Sequence, residues 1–159
     1  SSAVLRFEYS CDVVGVEWCA VLKNVYAILL GVCAGLCCGF NTKSFFLTRA
    51  VAEMSRVIHS FGGNADTAYG LSGLGDLATT GFGSMSRNRR LGAALCSRKS
   101  LEKIKKEIGQ AIEGLATLET LKPILKRKKI RAPFLEAIYE LIEKRKSASS
   151  IVKTLLSRP

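Results

Sequence analysis

Proline is scarce in this 159-residue chain, occurring three times beside fourteen glycines, which excludes a collagen-like repeat and a proline-rich linker protein. Histidine occurs once, at residue 59, and there is no CxxC pair, so the usual ligand patterns for zinc are missing and no metal is expected. Acidic residues are few: 13 against 24 lysines and arginines, for a formal net charge of +11. Such a shortage suits an anionic partner, which charge alone leaves open among nucleic acid, an anionic membrane and a phosphorylated small molecule. No GxGxxG follows a strand-like run, so a dinucleotide-binding turn is missing from these residues. Fifteen residues without a charge, 25–39, fall short of the ~20 that a membrane span requires. The opening residues, Ser1 to Tyr9, are too short and too polar for the apolar core of a leader peptide. They alternate like a strand, and this abrupt start suggests a piece of a longer chain.

What remains is globular. Hydrophobic residues make up 48% and charged residues 23%, and the length suits one domain that needs no metal or disulfide to fold. The six cysteines stand at 11, 19, 33, 37, 38 and 96. Neighbouring cysteines on a helix diverge by about 100 degrees and cannot pair with each other. They read as small buried apolar residues in a reducing compartment.

Residues 4–16 read as one strand or an extended lead-in. Residues 17–38 read as a buried central helix, whose Gly31, with Gly35 and Gly39 beyond it, shares one face and lets another helix approach closely. Asn41 or Thr42 is expected to cap the next helix, which runs to about Phe61 with Phe46, Ala50, Met54 and Val57 at helical spacing. Residues 65–70 form a short helical turn, and 70–83 are glycine-rich and polar. Further helices are expected from Ser100 to Gly109 and at about 114–128, 133–144 and 148–157, the second of these last three opening on Pro133. The fold class is all-α.

Four groups stand out chemically. Lys23 lies on the apolar helix, where a desolvated lysine becomes a usable acid or base near neutral pH, unless it snorkels to solvent. Asp76 follows Gly73-Leu74-Gly75, either beside a ligand or as the N-cap of the next helix. Ser86-Arg87-Asn88-Arg89-Arg90 assembles guanidinium, hydroxyl and amide donors suited to phosphate, or forms a solvated basic turn. The tract 97–131 holds eleven Lys/Arg and four Glu, and reads as the solvated face of amphipathic helices. It has no aromatic on which a nucleic-acid base could stack. His59 reads as a helix-end or surface residue.

Six segments then occur in order: Asp12-Val13-Val14-Gly15-Val16-Glu17, Leu22-Lys23-Asn24-Val25, Thr48-Arg49-Ala50-Val51-Ala52-Glu53-Met54, Gly73-Leu74-Gly75-Asp76-Leu77, Ser86-Arg87-Asn88-Arg89-Arg90-Leu91-Gly92 and Gly109-Gln110-Ala111-Ile112-Glu113-Gly114. Together they resemble the C-terminal, substrate-binding domain of bacterial-type NAD(P)-dependent glycerol-3-phosphate dehydrogenase, over nearly the whole chain. The resemblance implies a multi-helix fold like the C-terminal domain of 6-phosphogluconate dehydrogenase. Residues 1–16 would end the interdomain connection, and 17–159 would be the helical substrate-binding domain. It implies reversible NAD(P)H-dependent reduction of dihydroxyacetone phosphate to sn-glycerol 3-phosphate, feeding phospholipid synthesis in the cytoplasm. In the roles it implies, Lys23 and Asp76 are catalytic. Lys23, Asn24, Asp76, Thr80, Ser86, Arg87 and Asn88 bind substrate, and Arg87, Ala111 and Glu113 touch the cofactor. NAD or NADP would be held mainly by an N-terminal dinucleotide-binding domain, which is the expected partner together with a second copy in a homodimer. Nucleic acid and a membrane span are not expected. The segment 79–85 and the cysteine-rich patch at 33–38 depart from the family's commoner wording. Without the resemblance, a basic anion- or nucleic-acid-binding module and a helical domain without chemistry remain the alternatives.

Overall fold

The structure, a computed structural model, describes residues 5, 7–97, 99–144 and 146–157. The described residues form α1 (Val13–Gly35), α2 (Phe40–Ser60), a 3-10 turn (Ala65–Tyr69), a π turn (Leu71–Gly75), α3 (Asp76–Phe82), α4 (Arg87–Ala94), α5 (Leu101–Ile108), α6 (Glu113–Arg127), α7 (Pro133–Ile142) and α8 (Ala148–Leu156). No strand occurs among them.

Of the strand or extended lead-in expected over 4–16, the described residues before Val13 form no strand, and helix takes over from Val13 onward. Asp12 is the reason: its carboxylate caps α1 by accepting from the Gly15 amide at 3.0 Å. It also accepts from the Asn64 amide at 3.0 Å and the Thr67 hydroxyl at 2.6 Å, which ties the start of α1 to the 3-10 turn that follows α2. The Thr67 hydroxyl, and then the Gly15 amide, hold the Asp12 carboxyl below its ordinary value.

α1 is the axis of the bundle. Leu22, Val25, Tyr26, Ile28, Leu29, Val32 and Cys33 are buried in one core with residues of α2, α4, α6, α7 and α8. By length and composition it is the one helix among the described residues that passes as a bilayer span, longer than the uncharged run suggests. Its buried side chains serve the core of the bundle instead.

The glycine face meets α4. A Cβ on Gly31 would lie 2.1 Å from the Arg89 carbonyl oxygen, and one on Gly92 would lie 1.9 Å from the Ile28 carbonyl oxygen. Gly35 packs likewise, on Ala93. Gly39 does not, because α1 has ended and nothing stands within 4 Å of its Cβ position. The expected cap at Asn41 or Thr42 moves to Gly39, and both residues lie inside the first turn of α2.

All six cysteines are free. Cys19 and Cys33 are buried as expected, and burial pushes the Cys33 thiol up to about 12. Cys11 and Cys37 are exposed, against the sequence reading. Cys37 sits at φ +53 in the turn that closes α1, where the chain leaves the bundle.

Candidate functional site

The fold brings the sequence-predicted residues to one end of the α1–α4 crossing. Lys23, near the middle of α1, forms an ion pair with Asp76, the first residue of α3. Their side chains keep 23% and 38% of their exposure, so the pair faces a solvent-accessible surface rather than the core. Asp76 is not the N-cap of α3, which settles one of the two readings left open: its second oxygen accepts from the Thr80 hydroxyl at 3.3 Å, one turn along the same helix. Of the two glycines before it, Gly73 acts through packing. A Cβ on Gly73 would lie 2.1 Å from the Ala68 carbonyl oxygen, so only glycine lets the π turn deliver Asp76 to Lys23.

The next residue of α1 continues the site. Asn24 accepts through its side-chain oxygen from the Asn88 amide at 3.0 Å, and Asn88 in turn accepts from the Gly114 amide at 2.9 Å. Asn88 is buried, and this chain of bonds locks α4 and the start of α6 onto α1. The packing there is close enough that a Cβ on Gly114 would lie 2.7 Å from the Asn88 oxygen and 2.8 Å from the Asn24 carbonyl.

Ser86 caps α4, accepting from the Arg89 amide at 3.3 Å, so the serine lies at a helix start whose backbone N–H groups and dipole favour an anion. Arg87 follows it. Its guanidinium forms an ion pair with Glu113 and donates to the Gln110 side chain at 3.2 Å, both from the segment that opens α6. Ala111 is exposed between them. Among the described residues no side-chain hydrogen bond joins Ser86 or Ala111 to the rest of the group, so these two are near it only by chain connectivity.

Lys23, Asn24, Asp76, Thr80, Arg87, Asn88 and Glu113 therefore form a continuous polar patch: Asp76–Lys23 and Asn24–Asn88 are joined through adjacent residues of α1, and Asn88 adjoins Arg87 in α4. Such a patch can hold a phosphate at one end and exchange a proton at the other. No group of three metal-ligating side chains occurs among the described residues.

A sequence model of the family described as NAD-dependent glycerol-3-phosphate dehydrogenase C-terminus matches residues 12–153. The chain belongs to this family. It is 38% identical over 157 residues to the glycerol-3-phosphate dehydrogenase (NAD(P)+) of Ruthia magnifica, covering 99% of this chain and 49% of the relative. It is 45% identical over 141 residues to that of Acinetobacter baumannii, covering 89% of this chain and 40% of the relative. A crystal structure of glycerol-3-phosphate dehydrogenase from Coxiella burnetii superposes with a TM-score of 0.90 at 36% identity, over 94% of this chain and 46% of that one. A second, from Dunaliella salina, superposes at 0.82 and 28% identity, over 96% of this chain and 28% of that one. The chain spans about half the length of the curated relatives it matches. The all-helical expectation for the family's C-terminal domain is met.

Two residues that the sequence reading left without roles matter to the architecture. Gln110 buttresses Arg87 from the segment before α6. Glu53 is a fully buried acid on α2 that accepts from the Phe134 and Leu135 amides, at 2.8 and 3.0 Å, and from the Tyr26 hydroxyl at 3.2 Å. It thereby holds the start of α7 against α1 and α2, and burial pushes its carboxyl up to about 7 despite those donors. Its signal was visible: an acid on the buried stripe of α2 beside Ala50, Met54 and Val57 requires a partner.

Proposed function

We propose that this chain is the substrate-binding half of an NAD(P)-dependent glycerol-3-phosphate dehydrogenase, interconverting dihydroxyacetone phosphate and sn-glycerol 3-phosphate. The observation that carries the reading is the juxtaposition of the Lys23–Asp76 ion pair with the Ser86-Arg87-Asn88 helix start, bridged by the Asn24–Asn88 hydrogen bond.

The residues divide the work. The substrate phosphate binds at the N-terminus of α4, against Arg87, the Ser86 hydroxyl and the free backbone amides. To reach it, the Arg87 guanidinium exchanges part of its contact with Glu113 and Gln110 for phosphate oxygens. Asn88, buried and doubly bonded, keeps Asn24 aimed at the substrate. At the other end the Lys23 ammonium faces the C2 oxygen. When hydride reaches C2, the oxygen becomes an alkoxide, and Lys23 stabilises that charge and gives it the proton. Lys23 is left neutral and recovers its proton from solvent, while Asp76 stays ionised and, with Thr80, holds the amine in line. Oxidation of the alcohol runs the same steps backwards. Binding the phosphate some distance from the reacting carbon gains rate through positioning.

Hydride transfer itself is the chemistry the nicotinamide dinucleotide supplies when bound. This chain's donor set fits only one polar end of it: Arg87 beside Glu113, with Ala111 leaving room at the edge. The remainder calls for a dinucleotide-binding domain as partner. Tyr69, Leu71, Phe82 and Met85, all exposed at the end of α3 and on the turns around it, suit docking of such a domain. The setting consistent with this activity is the cytoplasm, where its product feeds phospholipid synthesis.

The test follows NADH oxidation with dihydroxyacetone phosphate on the complete gene product. Lys23→Ala is expected to lower kcat by about a hundredfold or more, the scale of a lost general acid. Arg87→Ala is expected to act chiefly on KM. Retention of kcat in Lys23→Ala, or an inactive wild type, overturns the proposal.

A further inference from the structure

A second cationic site lies against α2, which contributes nothing to the Lys23–Arg87 patch. A cleft of about 600 Å³ opens between α2, the turn after α6, and the start of α7, with Leu155 of α8 at its edge. Arg49 and Arg56 of α2 face Lys128, Lys129 and Arg131 of the turn across it, and no acidic residue lines it. None of these residues belongs to the Lys23–Arg87 patch. Phe45, Ile130, Pro133 and Phe134 supply an apolar wall.

Arg56 acts on one carboxyl of the protein, favouring the ionised form of Glu53 from beyond ion-pair distance. Arg49 lies over the Phe45 ring at 5.4 Å and Lys128 over the Phe61 ring at 4.7 Å. Among the described residues none of the five cations has an ion pair with a carboxylate. Glu53, behind the Phe134 wall, is fully buried and committed to the amides of α7 and to Tyr26.

The turn itself is built at a cost. α6 closes with the Lys129 amide bonded to the Lys126 carbonyl at 3.1 Å and the Ile130 amide bonded to the Leu125 carbonyl at 3.0 Å, the pattern that places the intervening residue in the left-handed region. Lys129 occupies that position at φ +54, where glycine is the unstrained choice. α2 closes by the same bonding pattern and does use glycine there, Gly62 at φ +85. α1 closes by the same pattern with Cys37 there, so such a position accepts a side chain, and at the end of α6 that side chain is a cation on the rim of the cleft.

We propose that this cleft binds a soluble small molecule carrying two or more phosphate groups, with Lys129, Arg131, Arg49 and Arg56 clamping the phosphates and the Phe45–Phe134 wall taking an adjoining apolar or ring portion. A monophosphate leaves most of these five positive charges unmatched, whereas a di- or triphosphate fills them. The site is independent of the dehydrogenase reading, since it shares no residue with it.

The experiment is calorimetric titration of the 159-residue chain with inorganic tripolyphosphate, with inorganic phosphate as comparison. The titrations are made in an Arg87→Ala background, which removes the arginine of the proposed substrate-phosphate site, and the variants added to it are Lys129→Gly, Arg56→Gln with Arg131→Gln, and Lys103→Gln. Lys129→Gly removes a cation while relieving the backbone, so it is expected to melt no earlier than that background and still bind tripolyphosphate more weakly. The double variant is expected to weaken binding by about tenfold or more, as loss of charge-assisted bonds requires. Lys103→Gln, an exposed cation outside both sites, is expected to bind like that background. A parallel arm measures co-sedimentation with phosphatidylcholine vesicles containing phosphatidylglycerol. Binding that survives Lys129→Gly and the double variant, binding weakened as much by Lys103→Gln, binding to vesicles alone, or none to tripolyphosphate each overturns the proposal.

Discussion

Replacing Glu53 by glutamine isolates the one buried carboxyl that organises three helices. The carboxyl offers two acceptor oxygens to the Phe134 and Leu135 amides and the Tyr26 hydroxyl. Glutamine offers one oxygen, and its NH2 cannot accept, so one amide at the start of α7 loses its buried partner. That costs roughly 1–3 kcal/mol. A second, pH-dependent effect runs the other way. Burial raises the Glu53 carboxyl from 4.5 to about 7, so the folded protein holds this proton more tightly than the unfolded chain. The stability linked to the raised carboxyl is fully present below pH 4.5 and is lost as pH rises through about 7. Over that window the loss is about 3 kcal/mol. Glutamine does not titrate. The gap between wild type and Glu53→Gln is therefore largest near pH 5, and it closes or reverses by pH 8. Urea unfolding followed by circular dichroism across this range measures it, and subtraction removes the titration of the other carboxylates. A gap that stays constant, or that widens as pH rises, would falsify the assignment of a burial-raised carboxyl at residue 53.

Other outcomes follow from the same geometry. Gly92→Ala places a Cβ 1.9 Å from the Ile28 carbonyl and forces α1 and α4 apart, with a loss of about 1–3 kcal/mol or more, whereas Gly39→Ala meets nothing within 4 Å and is expected to change the melting temperature little. Thiol titration of the native chain with a chromogenic disulfide is expected to show Cys11 and Cys37 reacting first. Cys19 and Cys33 wait for unfolding, since they are buried and the Cys33 thiol is raised to about 12. Early reaction at Cys33, read by peptide mapping, refutes the packing described here.

The sequence by itself determined a good deal. Helical spacing in Phe46, Ala50, Met54 and Val57 is a local property of the chain, and so are Gly109 and Pro133 at helix boundaries. These were legible because each depends on residues within a turn or two. The order of six short segments carried the family resemblance, and with it the set from Lys23 to Glu113. Residues far apart in the chain decided the rest. Helix rather than strand at residues 13–16 is fixed by Asp12 reaching Gly15, Asn64 and Thr67, contacts that β-branched spacing cannot announce. Whether Asp76 caps a helix or stands beside a ligand was open in the sequence; that it does not cap α3 and pairs with Lys23 follows from the close approach of Gly73 to Ala68 in the turn before it. The basic tract 97–131 looked like a solvated face. Only the folded chain sets Lys128, Lys129 and Arg131 across a cleft from Arg49 and Arg56, because charge along a sequence says nothing about which charges from another helix will stand opposite.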